Sequence, residues 1–314
     1  MGGGREMKII VIYYSQTGNT KKIAQAIHAG IRQLEEKCDI ARLRDVDPQD
    51  LAGCDLIGLG SPVIHARELP NVTFFINSMK SLDGKHAFAF CTHGADPGFY
   101  LSRIVPALDQ RGLTVVGWND WFGAAYHPLL PKPYFTDGHP DAIDLKEAED
   151  FGREMVERSR RISLGETELI PTLPKGREYD EIYRPINEVP RFFQRKLNRV
   201  ELKVNAEKCK YPQCHYCIDN CPTGAIDLSV SPPIFDRGCD LCWLCEQTCP
   251  RGAIEYDWEP LAKEHLPLTK GDLQKAIDIF EAKGRFRRLV PLENIGWDTH
   301  FWTFKNPRFK ISGG

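Results

Sequence analysis

The chain opens on a hydrophobic pattern that changes period. Lys8 to Tyr14 (KIIVIYY) is an unbroken β-branched and aromatic run, as expected of a strand buried on both faces of a parallel sheet. Six polar or small residues later, KKIAQAIHAGIRQLEE switches to a spacing of three and four. That spacing sets Ile23, Ala24, Ile27 and Ile31 on one face of a helix. Cys38 to Leu43 reads as a weak second strand, Cys54 to Gly60 (CDLIGLG) as a third, His86 to Cys91 (HAFAFC) as a fourth and Leu113 to Trp118 (LTVVGW) as a fifth. Helices are predicted over 97–110 and 145–162. The charged stretch 148–161 forms the wet face of the second, with opposite charges spaced for local pairing.

Past residue 163 the periodicity fades. Residues 164–200 contain Pro171, Pro174, Pro185 and Pro190 and read as an extended connection with a short helix near Arg191 to Asn198. Its cations Arg191, Arg195, Lys196 and Arg199 either steer an acidic partner or solvate a linker. A helical pattern returns at Leu268 to Ala282. The tail beyond it carries Trp297, Phe301, Trp302 and Phe304 among basic residues.

The first strand leads straight into Ser15-Gln16-Thr17-Gly18-Asn19-Thr20. A loop of hydroxyls and amides between a strand and a helix start offers N–H groups to a phosphate, and the helix N-terminus adds partial positive charge. An ordinary N-cap would use one such residue; five polar residues in six exceed that need. The other strands called third and fourth run into Ser61-Pro62-Val63-Ile64-His65 and Thr92-His93-Gly94. Gly58-Leu59-Gly60 is followed by Ser-Pro, with no helix start, so a Rossmann fingerprint is discounted.

The S-x-T-G-N-T loop after the first strand resembles the FMN phosphate loop of flavodoxins. That resemblance implies a doubly wound parallel α/β sheet of five strands in the order 2-1-3-4-5. It also implies FMN held by Ser15, Gln16, Thr17, Gly18, Asn19 and Thr20 at the phosphate, with Ser61, Pro62, Val63, Ile64 and His65 and Thr92, His93 and Gly94 flanking the ring. Ligands of such sheets sit beyond the carboxyl ends of the strands. Flavodoxins commonly set an aromatic residue against the ring, where this chain offers His65 and His93. Trp118, Trp121, Tyr126 and His127 either cover the ring or pack against the second domain.

Cysteine carries the strongest chemistry. Eight of the eleven fall between 209 and 249, as Cys209, Cys214, Cys217 and Cys221, then Cys239, Cys242, Cys245 and Cys249, with proline after the last of each set. Cysteines three apart on a tight loop aim thiolates at neighbouring corners of a cubane cluster, while the last of the run is carried to the other cluster. Cys239, Cys242 and Cys245 are therefore closed by Cys221, and Cys209, Cys214 and Cys217 by Cys249. The rival metal is zinc, which pairs C-x2-C motifs but does not need a C-x2-C-x2-C-x3-C-P run. CPTGAID at 221–227 and CPRGAIE at 249–255 mark two related halves, similar to the bacterial two-cluster ferredoxin fold, a small α+β domain. The departure is at Cys209, which precedes Cys214 by four intervening residues where that family has two. Cys38, Cys54 and Cys91 sit in or beside predicted strands, where a free cysteine acts as a small buried hydrophobe.

Composition narrows the rest. The chain has 314 residues, 42% hydrophobic, with a net charge of −2. That balance argues against a nucleic-acid binder, and no apolar window approaches a membrane span. Met1 to Met7 shows no secretory signal, so a reducing, cytoplasmic location is expected. The expected organisation is a flavodoxin-like domain over 7–163, a linker over 164–200, a two-[4Fe-4S] domain over 201–258 and an extension over 259–314. The combination resembles flavodoxin–ferredoxin fusion proteins. It implies electron transfer between a low-potential one-electron donor and an acceptor, through two [4Fe-4S] clusters and FMN, with a redox protein as partner; the aromatic tail is a candidate for docking on the first domain, for a homodimer interface or for capping a substrate pocket. The alternative is a terminal FMN-dependent reductase of a small molecule, fed by its own ferredoxin domain. No residue stands out as catalytic.

Overall fold

A computed structural model describes residues 7–128, 130–177, 202–230, 234–235, 238–260 and 274–297. Packing divides the chain into two compact units: Met1–Ala124 with Gly138–Tyr179, and Ala125–Asp137 with Asp180–Gly314.

The first unit is a five-stranded sheet. Strands β1 (Ile9–Tyr13), β2 (Cys38–Arg42), β3 (Leu56–Pro62), β4 (His86–His93) and β5 (Thr114–Phe122) lie in the order β2-β1-β3-β4-β5. Every neighbouring pair is parallel. Both faces are covered. On one, α1 (Asn19–Arg32) and α4 (Ala142–Ser163) close over Ile9, Val11, Phe88, Phe90 and Val116. On the other, α2 (Pro70–Asn77) and α3 (Tyr100–Asp109) close over Ile12, Ile57, Leu59, Ala87 and Ala89. Alternate residues of each strand feed opposite cores, which is why the strands read as unbroken apolar runs.

The predicted face of α1 is the buried one, with Ile23, Ala24, Ile27 and Ile31 all at 0% exposure. The charged face of α4 pairs locally, Arg153 with Glu149 and Asp150, and Arg158 with Glu154. Its first turn is a capping box: the Asp141 carboxylate accepts from the N–H groups of Ile143 and Asp144, and Asp144 accepts from Asp141 N–H. His139 Nδ1 joins Asp144 at 2.5 Å.

Several boundaries differ from the sequence reading. β3 begins and ends two residues later than its apolar run, taking Ser61 and Pro62 into the ladder opposite Cys91 and Thr92. β4 likewise takes in Thr92 and His93, and β5 continues to Phe122. α2 was not visible as a period, being eight residues long and aromatic. α3 is shorter than its prediction and α4 slightly longer. Residues 164–177 lie with the first unit, where Leu173 packs against its core. The helix expected at 191–198, its cations, and Phe301, Trp302 and Phe304 lie outside the described residues.

In the second unit two short αβ pieces repeat. Helix α5 (Tyr216–Asn220) ends at Cys221 and is followed by β7 (Ile226–Asp227), while α6 (Leu244–Thr248) ends at Cys249 and is followed by β9 (Ile254–Glu255). β7 pairs with β8 (Ile234–Phe235) and β9 with β6 (Lys203–Val204), both antiparallel. Leu202, Trp243, Ile254 and Trp258 form a small core. Residues 274–282 are helical, with Ala276, Ile277 and Phe280 buried.

Candidate functional site

In the first unit the candidate residues gather at the carboxyl ends of β1, β3 and β4. Register places Ser61 beside Cys91, Pro62 beside Thr92, and His93 beside Phe122. Backbone bonds continue past the strands, from Tyr14 N–H to Gly60 O, Val63 N–H to Thr92 O and Gly123 N–H to His93 O, each 2.9 Å.

The Ser15–Thr20 loop divides its labour. Ser15 Oγ accepts from Gly18 N–H at 3.2 Å, turning the chain. Gly18 takes φ +96, a left-handed conformation that suits glycine. Asn19 Nδ2 donates to Ala124 O at 2.9 Å, and the hydroxyls of Thr20 and Thr92 meet at 2.8 Å in a buried position. Those two side chains hold the loop against β4 and the end of β5. Gln16 is buried and its amide reaches Tyr14 Oη. α1 starts with no capping side chain at its N-cap. The N–H groups of Asn19, Thr20 and Lys21 thus have no intrahelical or side-chain acceptor among the described residues, an arrangement suited to an anion.

The second loop is strained. His65 and Ala66 have φ +52 and +60, two left-handed non-glycine residues in a turn closed between Ile64 and Arg67 at 2.9 and 3.1 Å. Such conformations persist only where the surroundings over-determine them. Here Phe99 N–H donates to Ala66 O at 2.7 Å, and Gly98 lies so close to the Ala66 backbone that a Cβ would collide. Glu68, 2% exposed, takes a fork of bonds from Arg103 at 2.7–2.9 Å and one from Thr73.

His93 is held from the side. Its Nε2 bonds Asp120 Oδ2 at 2.9 Å, and its Nδ1 is buried with no partner among the described residues. Asp96, in the same loop, accepts from Gly98 N–H at 2.7 Å and pairs with Arg177 at 3.3 Å. Sequence reasoning missed Asp120, Asp96, Glu68, Arg103 and Arg177. Asp120 did leave a signal, as a carboxylate inside an otherwise aromatic run, WNDWF. Trp121 packs into the α1–α4 core against Phe151, with ring centroids 5.6 Å apart, and Trp118 packs against the opposite core. Tyr126 and His127 belong to the second unit. Cys38, Cys54 and Cys91 are buried, and burial pushes the Cys38 thiol up to about 12.

In the second unit, Cys209, Cys214, Cys217 and Cys249 line one cavity, with Val204 and Ile254 among its apolar walls. Cys249 arrives from the other half of the repeat. The wider Cys209–Cys214 loop closes on the same cavity. Burial pushes the Cys217 thiol up to about 11, with smaller contributions from nearby Cys249 and Cys209. The Cys245 thiol is pushed well above its ordinary value by burial and then by Cys242, Cys239, Cys221 and Cys217. One cavity thus brings together Cys209, Cys214, Cys217 and Cys249, while Cys242, Cys239, Cys221 and Cys217 all lie near enough to Cys245 to act on its charge. Leu241 and Trp243 take φ +49 and +63. Left-handed residues in such a turn converge successive N–H groups into a concavity that favours an anion, as at phosphate and iron–sulfur sites.

The chain shows four similarities to known proteins. A family described as flavodoxin domain matches residues 10–98, which span β1 to the loop after β4. The flavodoxin of Megasphaera elsdenii is 29% identical over 110 residues, covering 34% of this chain and 80% of that protein. The flavodoxin of Aquifex aeolicus is 29% identical over 180 residues, 54% of this chain and 95% of that protein. A solved flavodoxin from the domain Archaea has 26% identity and a TM-score of 0.38, covering 49% of this chain and 99% of its own. The N-terminal unit is flavodoxin-like, and the cysteine-rich stretch is compatible with a small ferredoxin domain. Among the described residues no helix is long and apolar enough to cross a membrane.

Proposed function

We propose that the chain is an electron-transfer protein with FMN at the carboxyl ends of β1, β3 and β4 and two [4Fe-4S] clusters on the eight cysteines. The observation that carries the reading is the cavity lined by Cys209, Cys214, Cys217 and Cys249, four thiols converging from both halves of a repeat. Cys239, Cys242, Cys245 and Cys221 form the second set. A zinc reading needs four ligands per ion as well, but it gives no reason for the distal cysteines to exchange between halves.

For FMN, the fit lies in the uncapped start of α1 and the orphaned His93 Nδ1. The first-turn N–H groups and Thr17 would hold the phosphate, with Ser15, Asn19 and Thr20 keeping the loop in shape. Ser61 to His65 and Thr92 to Gly94 would flank the ring. When bound, the clusters supply single-electron steps, and the flavin supplies one- or two-electron steps coupled to protons. The protein's part is to place these groups and to exclude water from them. In this reading the flavin domain takes 7–124 and 138–177, and the cluster domain takes the cysteine-rich stretch with 125–137. The donor or acceptor is a redox protein carrying single electrons.

The test is anaerobic purification with iron, sulfide and flavin measured per chain. About eight iron atoms and one FMN are expected, and Cys209→Ser should cut iron toward about four. A chain that takes up zinc in place of iron, or no flavin, refutes the reading.

A further inference from the structure

The cysteine-rich domain is not built only from the cysteine-rich sequence. Residues 125–137, the connection between β5 and α4, belong to the second unit. They meet it at the second set of cysteines. Trp243, between Cys242 and Cys245, donates its indole N–H to His127 Nε2 at 3.0 Å, with the rings edge to face at 5.7 Å. One turn on, Gln247 Nε2 donates to Tyr126 O at 2.6 Å, so adjacent residues of the connection grip the start and the end of α6.

Trp243 is an unusual place for such a grip. Its backbone is left-handed at φ +63, and it caps the N-terminus of α6. Large side chains avoid that region, because Cβ crowds the following carbonyl there. It holds here because the indole is pinned on two sides. His127 accepts its N–H, and Trp258 packs edge to face at 4.7 Å while donating to Glu246 at 3.0 Å. Trp243 is 2% exposed. A buried indole N–H left without an acceptor is destabilising, so His127 is the partner this backbone shape needs.

We propose that His127 is a positioning residue of the second iron–sulfur site. By accepting from Trp243 it keeps residues 241–243 in the conformation whose N–H groups face the cluster. This rests on the cluster reading above. The direction of its effect follows from charge. A reduced cluster is more negative than an oxidised one, so N–H groups aimed at it stabilise the reduced form and raise its potential. Loosening that turn lowers the potential of the second cluster and spares the first, whose ligands Cys209, Cys214 and Cys217 lie in another loop.

The experiment is a redox titration of the full chain followed by electron paramagnetic resonance, on wild type, His127→Phe, His127→Gln and Trp243→Phe. Glutamine keeps an acceptor; phenylalanine keeps only the ring. In His127→Phe one of the two couples should show a roughly fivefold lower reduced-to-oxidised ratio at a given potential. For one electron at 59 mV per tenfold that is about 40 mV. Trp243→Phe should shift the same couple, the double variant should add little, and His127→Gln should stay near wild type. If the Phe variant instead loses about four irons while the Gln variant keeps them, the role stands. Unchanged couples in both Phe variants overturn it, as do equal shifts in both clusters or a Gln variant as impaired as Phe. A wild-type chain without iron would refute the cluster reading itself.

Discussion

The hydroxyls of Thr20 and Thr92 join α1 to the end of β4 from positions 72 residues apart, each side chain almost wholly buried. Sequence placed both at a flavin; the structure shows them bonded to one another. Thr20→Val keeps the shape but strands the Thr92 hydroxyl, so it should cost about 1–3 kcal/mol in urea unfolding. His86 offers a pH test. Its Nδ1 bonds Ser159 Oγ at 2.7 Å, and burial holds its pKa below the usual histidine value, with Asp55 opposing in part. The unfolded chain therefore takes up this proton first as the pH falls below about 6.5, and stability declines from there toward the depressed folded pKa. His86→Asn, whose amide can still meet Ser159, should flatten that part of the stability profile against pH. An equally steep profile in the variant would assign the slope to other groups. The missed residue Asp120 shows why pairs like His93–Asp120 resist reading: each is an ordinary polar residue in its own strand, and only parallel register brings them to 2.9 Å.

Between elements, α1 and α4 approach closely. Gly30 lies against the carbonyl of Glu149, and Gly152 against that of Ile27, so each helix offers a glycine where the other presents backbone. Alanine would gain up to about 1 kcal/mol of helix propensity at either position. Overpacking against backbone that cannot yield costs about 1–3 kcal/mol, and this term wins. Gly30→Ala and Gly152→Ala should both lower the thermal midpoint, by about 2–8 °C. A raised midpoint would mean that the helices can separate freely. Gly58 and Gly60 play the same part inside the sheet, where a Cβ would meet the rings of Phe88 and Phe90. The buried stripe of α1 was legible because a 3.6-residue period survives whatever it packs on. The ends of β3 and β4 were not, because Ser61, Pro62, Thr92 and His93 look like loop residues until neighbouring strands supply their ladder. Pro70 at the start of α2 was a usable signal, but eight residues of mixed aromatic and β-branched character gave no period to confirm it.

At the scale of the molecule, the chain leaves the first unit after Ala124, contributes 125–137 to the second, and returns at Gly138. Within the second unit Gly296 N–H donates to Pro133 O at 3.0 Å, and Phe135 meets Trp297 at 5.7 Å, so the aromatic tail packs partly on that insertion. Amide exchange read by mass spectrometry should show peptides from 126–137 losing protection together with 243–247 when iron is chelated, with β1 to β4 unaffected. Protection of 126–137 that follows β4 instead would refute the division. By itself the sequence determined the parallel sheet and the face of α1, and it singled out the loop at Ser15–Thr20 and the run of eight cysteines. These are local: a period, a glycine between polar residues, or a spacing of three is written within a few turns of chain. Tertiary structure alone decided that Asn19 and Thr20 brace the loop, that Asp120 holds His93, that Cys209 reaches the same cavity as Cys249, and that His127 supports Trp243 from 116 residues away. Each of those joins residues with no local relation, and what selects them is the requirement that buried polar groups find partners once the chain is packed.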